Sequence, residues 1–328
     1  MLITPTFRFR RLRRTSALRD LIRETQLSIN DLILPIFVQE NIEVPAPITS
    51  MPDVFRYPES MLGDVVERAW KKGIKAILLF GVSHNKDDEG SDTWNEHGLM
   101  ARMIKIAKQA QPQMIVITDS CFCEYSTHGF CGVLVNKDTD NDATLANLQK
   151  QVVVAAKAGV DIIAPSGMVD GMVAAIRSAL DAADFSHIPI MSYSTKFASA
   201  FYGPFRDAVD STFKGTRSSY QLDPANAREA LSESLQDEAE GADILMVKPG
   251  TIYLDVIANI RAHSRLPLAA YHVSGEYAML KIASAAGCIN ERDVVMETMI
   301  AFKRAGADLI ITYYAEQIAD WLNAETKI

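Results

Sequence analysis

Short apolar, β-branched runs recur along the chain, each bounded by Gly, Pro, Asp or Ser: LILPIFV from Leu32, AILLFGV from Ala76, MIVITD from Met114 and DIIAPS from Asp161. Four more follow, IPIMSYS from Ile188, DILMVKPG from Asp243, PLAAYHVSG from Pro267 and DLIITYY from Asp308. Hydrophobicity that is continuous rather than alternating marks strands buried on both faces of a parallel sheet. Between most of the runs lie segments with helical spacing, such as MLGDVVERAWKKG, ATLANLQKQVVVAAKAG, AREALSESLQDEAEG and ERDVVMETMIAFKRAG. Strands alternating with helices imply repeated βαβ units. A junction also repeats, as KKGIKAILLF, KAGVDIIAP, EGADILMVKP and RAGADLIITYY, with a glycine suited to a left-handed helix cap. The pattern predicts an α/β TIM (β/α)8 barrel, whose active site forms at the carboxyl ends of the strands. A doubly wound open sheet is the alternative; no G-x-G-x-x-G follows an early strand, so dinucleotide binding has no support.

Two segments lie outside the repeat. Residues 1–30 carry Arg8, Arg10, Arg11, Arg13, Arg14, Arg19 and Arg23, and read as an extended N-terminal arm. Residues 31–328 form the barrel domain. Within it, the stretch from Lys196 to Asp223 is too long for an ordinary connection, so a lid is expected at about 197–222.

Charge narrows the function. With 33 basic against 41 acidic residues, a net charge of -8 argues against nucleic acid or an acidic membrane surface as the partner. No apolar run reaches the roughly 18 residues of a membrane helix, and the Arg-rich start has no apolar core suited to a secretory signal. A transit peptide is the competing reading of that start, but it runs unbroken into SALRDLIRETQLSINDL, so a cytoplasmic protein is expected. Four cysteines are too few for a disulfide framework, and three crowd into one segment, which points to metal or redox chemistry.

The predicted strand ends present Asp119, Ser166, Lys196, Lys248, Ser274 and Tyr313 from six strands. Lys248 closes ILMVKP, where a solvated lysine is out of place; desolvation would lower its pKa and give the free amine that forms a Schiff base. A structural lysine paired with a carboxylate is the plain alternative. Lys196, in SYSTKFAS, ends the preceding strand, and two adjacent ammonium groups are expected to help keep each other neutral. In TDSCFCEYSTHGFCG, Cys121 and Cys123 share one face of an extended segment and the loop returns Cys131. Three thiolates with a vacant fourth position describe a catalytic zinc site, with a buried or redox-active thiol group as the alternative. His128 reads equally as a fourth ligand or a hydrogen-bonding neighbour, and Cys288, in AAGCIN, as a packed core thiol. The stretch after Lys196 mixes Phe197, Phe201, Tyr202, Phe205, Phe213 and Tyr220 with Arg206, Lys214 and Arg217 around Gly203-Pro204 and Gly215. Such a segment can exclude water and grip a carboxylate; a solvated loop is the bland alternative.

These motifs together resemble the porphobilinogen synthase (5-aminolevulinate dehydratase) family of the bacterial zinc-dependent kind. The resemblance spans nearly the whole chain, through RRLRRTSALRDL, LPIFV, GSDTWNEHGL, DSCFCEYSTHGFCG, DNDATL, MSYSTKFASAFYGPFRDA, MVKP and VSGEYAML. It implies condensation of two 5-aminolevulinate molecules into porphobilinogen, with Lys248 as the Schiff-base lysine for the first substrate and Lys196 for the second. By the same resemblance Cys121, Cys123 and Cys131 bind zinc, and Arg206 and Arg217, with Gln221 nearby, bind a carboxylate. Ser274 and Tyr313 would hold the carboxylate of the first substrate, while Asp119 and Ser166 would lie close to the substrate amino group. Glu233 would hold an allosteric magnesium at a subunit interface, and the arm would wrap a neighbour in a homo-octamer. One departure is visible: Phe130 stands where many relatives have histidine, which puts a supporting role of that position in doubt. The competing classes are a lysine aldolase on the same barrel, which would need no thiolate site, and a zinc-storage protein, which would leave the two strand-end lysines unexplained.

Overall fold

The computed structural model describes residues 7–136, 138–210 and 217–325. Eight parallel strands form the barrel: β1 (Leu32–Gln39), β2 (Ala76–Val82), β3 (Ile115–Ser120), β4 (Ile162–Pro165), β5 (Met191–Lys196), β6 (Ile244–Lys248), β7 (Leu268–His272) and β8 (Leu309–Thr312). They are the eight apolar runs of the sequence, with ends shifted by a few residues. The hydrogen-bonded order is β4-β3-β2-β1-β8-β7-β6-β5, and a parallel bridge between Ile163 and Ile190 closes β4 onto β5. Closure is what separates a TIM barrel from the open doubly wound sheet, so the barrel expectation stands.

Outer helices follow the strands, among them Glu59–Lys71, Leu99–Ala110, Asn141–Ala158, Ala227–Glu240 and Glu291–Ala305. The repeated junction behaves as its glycines predict: Gly73, Gly159, Gly241 and Gly306 all have positive φ, which ends each helix and turns the chain into the next strand. Apolar side chains such as Leu78, Val116 and Leu245 are fully buried. Towards the carboxyl ends the barrel interior becomes aromatic, with Phe37 and Phe80 at 5.3 Å and Tyr313 stacked 5.9 Å from Phe37.

β5 carries the irregularity that matters most. Its register against β6 runs Ser192 to Leu245 and then Thr195 to Val247, so three steps of β5 oppose two of β6, a β-bulge. Ser192 and Ser194 bond outward, to Asp237 and Ser234 of the Ala227–Glu240 helix, and Thr195 also bonds Ala230 and Ser234 of that helix. Two consecutive outward residues return Lys196 to the same interior side as Tyr193. Beyond Lys196 the chain makes an excursion pinned at its neck by Ala198 N–H to Leu222 O at 2.8 Å and Leu222 N–H to Lys196 O at 3.1 Å. The excursion contains a short helix, Gly203–Ala208; Phe213, Lys214 and Gly215 lie outside the described residues.

Before the barrel, Phe9–Arg13 forms a 3-10 turn and Ser16–Leu21 a one-and-a-half-turn helix, neither with a buried residue. Among the described residues no helix is long and apolar enough to cross a membrane. Cys288 departs from expectation: it is exposed, because AAGCIN is the surface turn after the Ser274–Ala285 helix, and its small residues signal that turn rather than a core.

Candidate active site

A cavity of about 230 Å³ opens at the carboxyl end of the barrel. Lys196 and Lys248 line it as direct cross-strand partners at the ends of β5 and β6. Asp119, Ser166, Cys123, Arg206, Arg217 and Gln221 also line it, so residues from Asp119 to Lys248 in sequence converge there. Ser274 and Tyr313 stand off its wall. Ser274 Oγ reaches the Phe201 carbonyl at 3.5 Å, and the Tyr313 hydroxyl lies 3.3 Å from that of Tyr271. Glu233 is elsewhere, half-buried in a second recess with Asp138, Asp170 and Glu229 that shares Gln221 with the cavity.

The two lysines differ in their electrostatics. Lys248 Nζ sits in an aromatic box, 4.3 Å from the Tyr271 ring centroid, 5.0 Å from Tyr193, 5.1 Å from Phe205 and 5.5 Å from Tyr202. Burial, and then the neighbouring Lys196 charge, lower its pKa from 10.5 to about 7. Lys196 is equally buried, and burial pulls it down, but the charges of Cys131, Cys121 and Asp119 more than offset that and its pKa is raised. Mutual neutralisation of the pair, expected from adjacency alone, is therefore corrected: one lysine offers a free amine near neutrality and the other stays cationic. Lys196 Nζ also donates to the Ser166 carbonyl at 2.5 Å, while Ser166 Oγ donates to Asp119 Oδ2 at 3.2 Å. Burial raises the pKa of Asp119 despite both lysines.

The thiols of Cys121, Cys123 and Cys131 are all free and buried, and their sulfurs lie within 4.8 Å of one another, with Cys121 and Cys123 only 3.3 Å apart. Hydrogen bonds from Cys121 and then Cys123, with the Arg217 and Lys196 charges acting the same way against burial, hold Cys131 well below the usual thiol range. Three soft donors converging on one point fit a thiophilic divalent cation. Glu124, which sequence reasoning passed over inside the same motif, is buried against them: Cys123 donates to its Oε2 at 3.3 Å, and burial followed by the Asp119 charge pushes it to about 7. His128 is turned away, its Nε2 2.9 Å from the Asp88 carbonyl, so the neighbour reading holds rather than the ligand reading. Phe130 packs on that imidazole at 5.7 Å and its N–H bonds Nδ1.

Arg217 donates to the Gly129 carbonyl at 2.8 Å, which ties the excursion to the loop that returns Cys131. Phe205 lies 5.3 Å from Phe80, edge-on, anchoring the Gly203–Ala208 helix to the barrel mouth. Tyr193 and Tyr271 were not singled out from sequence; only the β5 bulge and barrel closure bring their rings under the amines.

A closed parallel barrel that presents a depressed-pKa lysine, a second cationic lysine and a three-thiol donor group in one cavity defines a carbonyl-handling enzyme of the imine-forming class. The model of the family described as "Delta-aminolevulinic acid dehydratase" matches residues 6–321. The Escherichia coli (strain K12) delta-aminolevulinic acid dehydratase is 57% identical over 311 residues, covering 95% of this chain and 96% of its own. The Archaeoglobus fulgidus protein of that name is 50% identical, covering 97% and 98%. A crystal structure of the Toxoplasma gondii ME49 enzyme with its reaction product porphobilinogen has a TM-score of 0.94 at 44% identity, covering 97% of this chain and 92% of that one. The chain belongs to the delta-aminolevulinic acid dehydratase family, and is a hydro-lyase on a TIM barrel.

Proposed function

We propose that this chain condenses two molecules of 5-aminolevulinate into porphobilinogen with loss of two waters, in tetrapyrrole (heme) biosynthesis, and that Lys248 and Lys196 each hold one substrate as a Schiff base. The observation that carries this is the pairing of a lysine with pKa about 7 and a cationic lysine at one cross-strand position. The neutral Lys248 amine attacks the ketone of the first substrate; Lys196 captures the second only after giving up its proton, and the two imines then fix the substrates relative to one another. Asp119 and Ser166 face the amino group, and Arg206, Arg217 and Gln221 hold the carboxylate of the second substrate. Ser274 and Tyr313 hold that of the first, which requires the Phe201 carbonyl to release Ser274. Residues 197–222 act as the lid that completes this arrangement and excludes water.

Cys121, Cys123 and Cys131 would hold zinc, which when bound supplies Lewis acidity to a substrate oxygen or nitrogen. Glu233 is the site of an allosteric magnesium; in support, burial and then the charges of Asp170, Glu229 and Glu240 raise its pKa, and a cation would relieve the part due to repulsion. The exposed arm, with Phe7, Phe9 and Leu21 largely in solvent, supports a homo-octamer in which it packs on a neighbouring barrel. We place the enzyme in the cytoplasm. Incubation with 5-aminolevulinate, with colorimetric detection of the pyrrole, tests the reading. Product should form, vanish with a chelator and return with zinc; absence of pyrrole under all conditions rules the activity out.

A further inference from the structure

Beneath the two lysines lies a feature the reaction as described above does not use. Tyr193 is fully buried, and its ring centroid is 5.0 Å from Lys248 Nζ and 5.7 Å from Lys196 Nζ. Among the described residues it is the one ring recorded over both amines. Its hydroxyl is turned to the Asp119 carboxylate, although neither that hydroxyl nor Asp119 Oδ1 reaches full hydrogen-bond geometry. The bulge in β5 is what places this ring and Lys196 on one side of the strand.

The chemistry creates a charge where the ring lies. A neutral amine, a ketone and one proton give an iminium and one water, so capture on Lys248 adds a positive charge to a dry pocket, while capture on Lys196 moves the charge it already carries onto the imine. An aromatic face attracts such a charge and takes none of its protons. We propose that Tyr193 is a positioning residue shared by both Schiff-base lysines, its ring face stabilising the iminium on either one and its hydroxyl orienting Asp119 towards the substrate. This rests on the two-lysine reading above.

The test uses the full-length protein and borohydride trapping of 4-oxopentanoate, a keto acid that can form the imine but has no amine with which to continue, followed by mass mapping of Lys248 and Lys196. Tyr193→Phe keeps the ring and should trap the imine to within about threefold of the native level, while kcat for 5-aminolevulinate falls about tenfold with KM little changed. Tyr193→Met fills similar space without a π face and should lose about tenfold or more of the adduct on both lysines. Fluorinated phenylalanines introduced at position 193 weaken the face at nearly constant shape and should lower trapping stepwise. That series decides the matter even where Tyr193→Met fails to fold. Native-level trapping throughout the fluorinated series overturns the ring's role, and an unchanged kcat in Tyr193→Phe overturns the hydroxyl's. If native protein forms no adduct on Lys248, it is the two-lysine reading that has failed instead.

Discussion

Lys196→Met gives the sharpest test of the electrostatics. Lys248 titrates at about 7 because of burial first and the Lys196 charge second, and Lys196 keeps that charge. With cross-strand neighbours about 5 Å apart at the backbone, the two amines are separated by roughly 6 Å. At an effective dielectric constant of about 20 they then repel by about 3 kcal/mol, equivalent to about two pH units. Removing the Lys196 charge relieves the Lys248 ammonium, so the midpoint should climb from about 7 towards about 9. At pH 7 the free-amine fraction then drops from about half to about one in a hundred. Pyrrole formation cannot report this, since Lys196→Met also removes the second imine. The assay is the initial rate of borohydride trapping of 4-oxopentanoate on Lys248, measured from pH 5 to 10. In native protein the rate should rise with pH through about 7, and in the variant through a midpoint at least one pH unit higher. A native midpoint near 10, or an unmoved midpoint in the variant, would refute the reasoning.

Other outcomes follow from the same geometry. Asp237 is raised from 3.8 to about 7 by burial, so its protonated form stabilises the fold and that contribution is lost as pH rises from about 4 to 7. Three pH units correspond to about 4 kcal/mol at most, and Asp237→Asn should flatten the thermal-stability profile over that range; an unchanged slope counts against the assignment. Cys131→Ala removes the thiolate of the donor group and should abolish the cobalt–thiolate charge-transfer band on titration with Co2+, whereas Cys288→Ala, on the surface, should leave it intact. Glu233→Gln should remove stimulation by magnesium while leaving the basal rate within about twofold, read as rate against magnesium concentration. Leu78→Ala, at a fully buried position of β2, should lower unfolding stability by about 2–5 kcal/mol in denaturant melts.

Much of this was legible along the chain because it depends on local period. The eight apolar runs become the eight strands since residues buried on both faces must be apolar wherever they sit in the barrel, and the junction glycines take positive φ because few other residues can. The cysteine cluster was equally readable: i, i+2 spacing and a short return loop hold the sulfurs close in any compact fold.

What tertiary structure alone decided is electrostatic state and side-chain facing. Adjacency made Lys196 and Lys248 look alike, but one is boxed by aromatic rings and the other balanced by thiolates and a carboxylate drawn from β3 and the loop that follows it. Strand alternation would set Tyr193 and Lys196 on opposite faces; a single bulged residue, held by outward bonds to the Ala227–Glu240 helix, reverses that. Cys288 looked like core and lies on the surface, because the small residues around it close a turn there rather than pack. Sequence by itself determined which residues could reach the barrel mouth. Long-range packing, which sets dielectric and neighbouring charge, determined which of the two amines loses its proton more readily.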